Sequence, residues 1–214
     1  MLKADLHIHT AYSMDCSMSL QQVVERCLDK GINCIAIADH GTIEGAVEIQ
    51  RLAPFPVIVA EEILTPYGEI MGMFLIEGIP SGLSVEQTVS RIKAQGGLVC
   101  VPHPLDALRP SALKGSIMEE LAEQLDVVEV FNARGLFSGS ATRARLFAEK
   151  HGLPGSAGSD AHTPHEIGNA YVEMPEFTGR DDFIQALAAG RIFGHRTNPL
   201  THLGSIWARV KKWL

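Results

Sequence analysis

The chain has 214 residues, 46% hydrophobic and 20% charged, enough for one α/β domain with a real core. Its formal net charge of −7 argues against a broad basic face gripping nucleic acid through its phosphates, although bound cations can reverse the field locally around a small phosphate. No run of about 18 apolar residues occurs, so no membrane-spanning helix is expected, and four dispersed cysteines without a CxxC pair (Cys16, Cys27, Cys34, Cys100) point to a reducing compartment rather than a disulfide scaffold.

In chain order, the first apolar run covers residues 2–8 and carries Asp5-Leu6-His7-Ile8-His9. No charged-then-apolar leader precedes it, so a cytoplasmic location is expected. Side chains two apart share a strand face, which predicts Asp5, His7 and His9 on one side. A helix over 19–30 follows, with Ser19 as N-cap and Gly31 as its stop. A strand over 33–38 ends in Asp39-His40, and a helix over 43–52 leads to a strand over 56–61, with Glu61-Glu62 at its end. Only Thr65-Pro66-Tyr67-Gly68-Glu69 separates this from the next run, 70–76. That is too short for a helix, so the two strands form an antiparallel hairpin. Ser84 opens a helix over 84–95 with Gln87 three residues on, a capping box, and Gly96 ends it. Strand 98–102 reaches His103. Helix 111–124, strand 126–131 and helix 138–151 follow. His151 and Gly152 close the last of these, where a histidine complements the helix dipole. Strand 155–159 runs into Gly158-Ser159-Asp160-Ala161-His162, and a last helix covers 181–189.

This βα alternation implies one domain over residues 1–214 with a mostly parallel sheet, open or closed into a barrel, irregular at the hairpin. The tail from about 196 ends in the basic, aromatic stretch Trp207 to Leu214. It is expected to be a final helix packed on the barrel, with an interfacial helix as the alternative.

Each histidine or acid taken singly has a bland reading as a turn residue, a helix cap or a hydrogen-bonded core group. Their joint pattern is harder to dismiss. Asp5-His7-His9, Asp39-His40, Glu62, His103 and Asp160-His162 all punctuate apolar runs, and parallel α/β folds bind ligands at the carboxyl ends of strands. Imidazole and carboxylate together suit borderline divalent ions such as zinc, manganese or iron, so a polynuclear metal centre is expected there. Cys34 and Cys100 lie in apolar runs and read as core residues; Cys16 follows Asp15 and lies near the centre only if Asp15 does. His165 follows His162 closely enough to be a candidate substrate contact. His195 and His202 are expected to be structural or on the surface.

The combination His7-x-His9, Asp15, Asp39-His40, Glu62 in Glu-Ile-Leu-Thr, His103-Pro104 and Gly-Ser-Asp-Ala-His resembles the PHP (polymerase and histidinol phosphatase) family over about residues 2–173. The stretch Ser156 to Tyr171 is similar to small stand-alone members, which look like metal-dependent phosphoesterases. The resemblance implies a distorted (β/α)7 barrel with the metal site at the C-terminal edge of its strands. It also implies two or three divalent ions: the first held by His7, His9, Glu62 and Asp160, the second sharing Glu62 and adding His103, the third held by Asp15, His40 and His162. Glu62 is preferred over Glu61 because it fits the family's Glu-hydrophobic-x-Ser/Thr pattern. One departure stands out: where many trinuclear members carry a histidine after strand 126–131, this chain reads Phe131-Asn132-Ala133-Arg134. An amide is a poorer ligand than imidazole, which puts the second ion in doubt, while Arg134 offers a fork suited to phosphate. An exposed arginine is its alternative reading.

Three divalent ions bring +6 and Asp15, Glu62 and Asp160 return −3, leaving a cluster near +3 in an acidic protein. Such a centre favours a small phosphorylated substrate, attacked by metal-activated water. Glu62, Asp160 and Arg134 are expected to carry catalysis, and Arg134, Asn132 and His165 to bind substrate. Exonucleolytic trimming of nucleic acid and a non-catalytic, metal-stabilised regulatory domain are the alternatives. The charge balance speaks against extended nucleic acid as a partner.

Overall fold

A computed structural model describes residues 1–136 and 138–201; His202 and the basic aromatic tail lie outside the described residues. Among these the elements run β1 (Leu2–Ile8), α1 (Leu20–Lys30), β2 (Cys34–His40), α2 (Glu44–Leu52), β3 (Val57–Thr65), β4 (Gly68–Met73), α3 (Val85–Ala94), β5 (Leu98–Val101), α4 (Gly115–Leu121), β6 (Val127–Asn132), α5 (Ser138–His151), β7 (Gly155–Gly158), β8 (Ala170–Met174), α6 (Arg180–Ala188) and β9 (Arg191–Gly194). Ser19 and Ser84 cap α1 and α3, and both helices carry full capping boxes, with Gln22 and Gln87 reaching back to the cap backbone. The second box is legible in the sequence, and the first follows the same Ser-x-x-Gln spacing.

All nine strands form one sheet in the order β7-β6-β5-β4-β3-β2-β1-β8-β9. The pairs β1–β2, β2–β3, β5–β6 and β6–β7 are parallel. The expected hairpin β3–β4 is antiparallel, and so is β4–β5. β1 changes partner along its length. Leu2, Lys3 and Ala4 pair with antiparallel β8, whereas Ile8 bridges Ala161 just beyond β7. His9 N–H donates to the Ala161 carbonyl at 3.0 Å and Asp160 N–H to the His7 carbonyl at 2.7 Å. The sheet thus curls into a nearly closed barrel that is sealed at its C-terminal edge.

Side chains divide by strand parity. Cys34, Ala36 and Ala38 of β2 belong to an inner apolar cluster with Ala4, Ala60 and Ala157, while Ile35 and Ile37 join an outer cluster with Ile49, Ile92 and Phe147 of the surrounding helices. Small inner residues suit the narrow interior of a barrel with few strands. Phe183 and Leu187 of α6 join the inner cluster alongside Leu2, Met73, Leu98 and Met174, closing the N-terminal end. Burying Phe183 contributes about 1.5–3 kcal/mol.

Two expectations need correction. β8 and β9 were not anticipated: charged residues interrupt both, with Glu173 in β8 and Arg191 opening the only partly buried β9, whereas β5, as short as β9, stands out as an uninterrupted apolar run. The helix expected from 111 begins at Gly115. The residues before it cross the hairpin instead: Glu69 N–H donates to the Ser111 carbonyl at 2.7 Å. At Gly68 (φ +132°) a Cβ would come within 2.6 Å of Leu113 Cα, so only glycine admits this crossing.

Candidate metal centre

The inner face at the C-terminal edge is polar where the rest of the interior is apolar. Continuing the inner parity, His40 follows Cys34-Ala36-Ala38 in β2 and Glu62 follows Ile58-Ala60 in β3. Glu69 precedes Met71 and Met73 in β4 by the same rule. In β1 the parity breaks: Leu2, Ala4 and Leu6 face inward, yet His7 meets Glu129 inside the barrel at 3.1 Å. A register irregularity between Asp5 and Ile8 turns the end of the strand over, as bulges do. The expectation that Asp5 shares a face with His7 and His9 is therefore overturned. Asp5 accepts from Ser159 N–H at 2.8 Å and Gly168 N–H at 3.0 Å, tying the β7–β8 connection to β1. Gly158 completes the join, since a Cβ there would sit 2.2 Å from His7 Cβ.

The structure brings all eight sequence-predicted ligand residues into one cluster. His7 Nε2 lies 3.1 Å from His9 Nε2, 3.4 Å from Glu62 Oε2 and 3.7 Å from Asp160 Oδ1; His9 Nε2 lies 3.3 Å from each of those oxygens. Donor atoms bound to one ion at about 2.0–2.2 Å stand about 3.0–3.6 Å apart, so the two imidazole nitrogens stand at or near such a spacing from each other and from each carboxylate oxygen, and His7, His9 and Asp160 form one group of possible ligands. Asp15 Oδ2 is 3.5 Å from His40 Nε2 and 3.3 Å from His162 Nε2, with His9 in reach of the same group. His103 Nε2 lies 2.8 Å from Glu62 Oε1, and His7 stands close enough to join them. His103 (φ +30°) and Asp160 (φ +54°) both hold left-handed backbone conformations, a strain that clusters at functional sites.

The electrostatics ask for cations. Glu62 Oε2 and Asp160 Oδ1 are buried without a hydrogen-bond partner among the described residues. Three imidazole nitrogens stand 3.3–3.4 Å from that Glu62 oxygen, without hydrogen-bond geometry. Burial alone would push the histidines down, but Glu62 and Asp160 outweigh it: they help hold His7 well above its ordinary value and take His9 up to about 10. Burial and neighbouring His9 take His162 down to about 4. Divalent ions in the same place would satisfy the carboxylates and displace the protons.

Several participants escaped the sequence reading. Glu129 of β6 is buried inside the barrel, accepting from His103 N–H at 2.5 Å and Asn132 Nδ2 at 3.0 Å and pairing with His7 Nδ1; a carboxylate behind a metal-binding histidine orients the ring. Arg109, on the loop after β5, places Nη1 2.7 Å from Asp160 Oδ2. Glu69 contacts His40 and His103. None of the three punctuates a strand end, which was the only signal available.

Asn132 reaches the cluster, but as a donor: its Nδ2 bonds Glu129 and Asp160, and its Oδ1 accepts from Arg134 N–H. Arg134 is 5% exposed, which overturns the surface reading. Its Nε lies 3.5 Å from Glu166 Oε1 and its Nη1 donates to the Asp160 carbonyl at 3.5 Å. His165 is exposed and is not among the residues gathered at the centre. His151 pairs with Glu119 at 3.1 Å at its helix end, and His195 is exposed. Cys16 is buried with Sγ 3.3 Å from the His162 carbonyl, beside the centre, and Cys34 and Cys100 are core residues.

Comparison with known proteins adds the following. Residues 5–54 match the PHP domain and residues 140–192 the PHP-associated region. An uncharacterized protein of Methanocaldococcus jannaschii is 43% identical over 145 residues, covering 62% of this chain and 82% of that protein. A second uncharacterized protein of the same organism is 36% identical over 179 residues, covering 82% of this chain and 71% of that protein. A two-domain protein of Bacteroides vulgatus, described as containing a predicted PHP-like metal-dependent phosphoesterase, superposes with a TM-score of 0.73 at 18% identity. The match covers 91% of this chain but 65% of that longer one, and at such identity it speaks for the fold alone.

Proposed function

The chain belongs to the PHP family, and we propose from that premise that it is a metal-dependent hydrolase of a small phosphate ester, a phosphomonoester or a short nucleotide. The observation that carries the reading is the pair of imidazole nitrogens of His7 and His9, 3.1 Å apart and each 3.3–3.7 Å from both Glu62 Oε2 and Asp160 Oδ1, two buried oxygens without a hydrogen-bond partner among the described residues. These four residues would hold one ion; His103 with Glu62 would hold a second, and Asp15, His40 and His162 a third. Zinc, manganese and iron all suit this nitrogen and oxygen set. Bound there, divalent ions supply a water acidic enough to attack at neutral pH and positive charge for the phosphoryl oxygens.

The chain's own groups do the rest. Glu129 holds the His7 ring so that its Nε2 faces the shell. Asp160 divides its labour, turning Oδ1 to the histidines and Oδ2 to Arg109. Arg109 and Arg134 approach Asp160 and bring guanidinium charge to where a phosphate would meet the cluster. A net charge of −7 favours a small anion drawn to the centre over a polymer spread across the surface. The four cysteines are buried and free, and no helix among the described residues is long and apolar enough to cross a membrane; a cytoplasmic location is consistent with both.

The test is elemental analysis of protein purified without chelator, joined to phosphate release from a metabolite panel, an aryl phosphate and a labelled oligonucleotide. Two or three ions per chain with turnover of a phosphomonoester is the expected result. Preference for the oligonucleotide would favour exonucleolytic trimming. Loaded protein inert towards every phosphate would leave the regulatory reading.

A further inference from the structure

We infer that Glu69 is a metal ligand, completing the position that His103 and Glu62 begin and that Asn132 leaves unfilled. The inference rests on the metal-dependent reading above.

Glu69 enters from β4, the returning arm of the hairpin, opposite Leu64. Its backbone is pinned by the bond to the Ser111 carbonyl, so the side chain is delivered from a fixed point. The residue is 5% exposed. Its carboxylate reaches between two imidazoles from different strand ends, with Oε1 3.5 Å from His40 Nδ1 and Oε2 3.5 Å from His103 Nε2. The same two rings contact Glu62 at 3.4 and 2.8 Å, and His40, Glu62 and Glu69 offer three ligand atoms within 4.8 Å of one another. Glu69 Oε2 has no hydrogen-bond partner among the described residues. A buried carboxylate oxygen left in that state, facing a second carboxylate, costs free energy that a shared cation removes.

The opposite side of His103 shows why another ligand is needed. Asn132 stands where a histidine would complete the second position, but its amide nitrogen is spent on Glu129 and Asp160 and its oxygen on Arg134 N–H. Both ends of that side chain are engaged. The donor therefore comes from the hairpin, and an oxygen replaces an imidazole nitrogen. With Asp15, Glu62, Asp160 and Glu69 ligating, three divalent ions leave about +2 rather than about +3, and the added oxygen shifts the second position towards harder ions such as manganese.

The experiment is a zinc titration of metal-free wild-type and Glu69→Gln protein against a chromophoric chelator, with elemental analysis of both after reloading. Glu69→Gln is expected to hold about one ion fewer per chain, or to bind its weakest ion at least 10-fold less tightly, with the other sites unchanged. Glu69→Asp, which keeps the charge but withdraws the oxygens, is expected to show the same loss and serves if the amide variant does not fold; thermal unfolding of the metal-free forms reports folding separately. Unchanged ion number and affinity would overturn the inference while leaving the metal-dependent reading intact, even if turnover fell, because Glu69 would then act on protons instead. Wild-type protein that takes up no ion would overturn both.

Discussion

Neighbouring acids on the two faces of the same strand ends meet opposite fates. On the inner face, Glu62 meets His7, His9, His40 and His103. One residue away on the outer face, Glu61 accepts from Ile79 N–H at 2.8 Å. Asp39 accepts from both Thr10 N–H and Thr10 Oγ1 at 2.6 Å, while His40 beside it turns inward. Asp5 is bound by Ser159 and Gly168, while His7 joins the cluster. The lesson is that identity and burial do not separate a metal ligand from a structural tie in this barrel: all these residues are buried or nearly so. Asp5 and Asp39 spend both oxygens, and Glu61 one, on donors from connecting segments, whereas Glu62, Glu69 and Asp160 face the imidazoles and each keep a buried oxygen without a hydrogen-bond partner among the described residues, as Glu61 Oε1 does on the outer face.

The largest effect expected from this contrast is on activity. Glu62→Gln should abolish hydrolysis, by about 10³-fold or more, and lower the ion content, whereas Glu61→Gln should retain both; removing a catalytic metal's charge partner costs several kcal/mol in the transition state. Steady-state rates with parallel elemental analysis check the pair, and an inactive, ion-poor Glu61→Gln that still folds would break the contrast.

Next in size is a loss of stability on the outer face. Asp39→Asn weakens two charge-assisted bonds and should cost about 1–3 kcal/mol, read as a lower urea midpoint, with turnover per folded molecule maintained. Loss of bound ions at unchanged stability would instead place Asp39 with the inner group.

The smallest effect is a slope with pH. Burial pushes the Glu61 carboxyl up to about 7 from 4.5, with the Ile79 bond opposing it. Between these values the folded chain holds this proton more tightly than the unfolded chain does. The contribution is therefore present in full below pH 4.5 and fades as pH rises to about 7. Subtracting Glu61→Gln from wild-type unfolding curves should isolate a stability that declines across that window; parallel curves would show that Glu61 holds its proton no more tightly in the folded chain than in the unfolded one.

Much of this was legible before any coordinates. Seven of the strands and all six α-helices follow from apolar runs and caps, and Glu62 was preferred over Glu61 only through the resemblance to the family's pattern. Arg109 and Glu129 were not legible, one lying in a loop and the other inside an apolar strand, where neither position differs in sequence from an ordinary surface arginine or a satisfied core acid. Glu69 was seen only as part of a turn. The strands β8 and β9 escaped because charged residues interrupt their apolar runs, whereas the equally short β5 is apolar throughout.

Order and type along the chain, the alternation of strand and helix, and the gathering of imidazoles at strand ends were determined by sequence alone, because periodicity and capping act over a few neighbouring residues. Tertiary structure alone decided which face each acid took, since a single register irregularity between Asp5 and Ile8 moves His7 to the inside and leaves Asp5 outside. It also decided which loop residues reach the centre. Those outcomes depend on contacts between segments as far apart as Asp5 and Ser159, and no local pattern encodes such a distance.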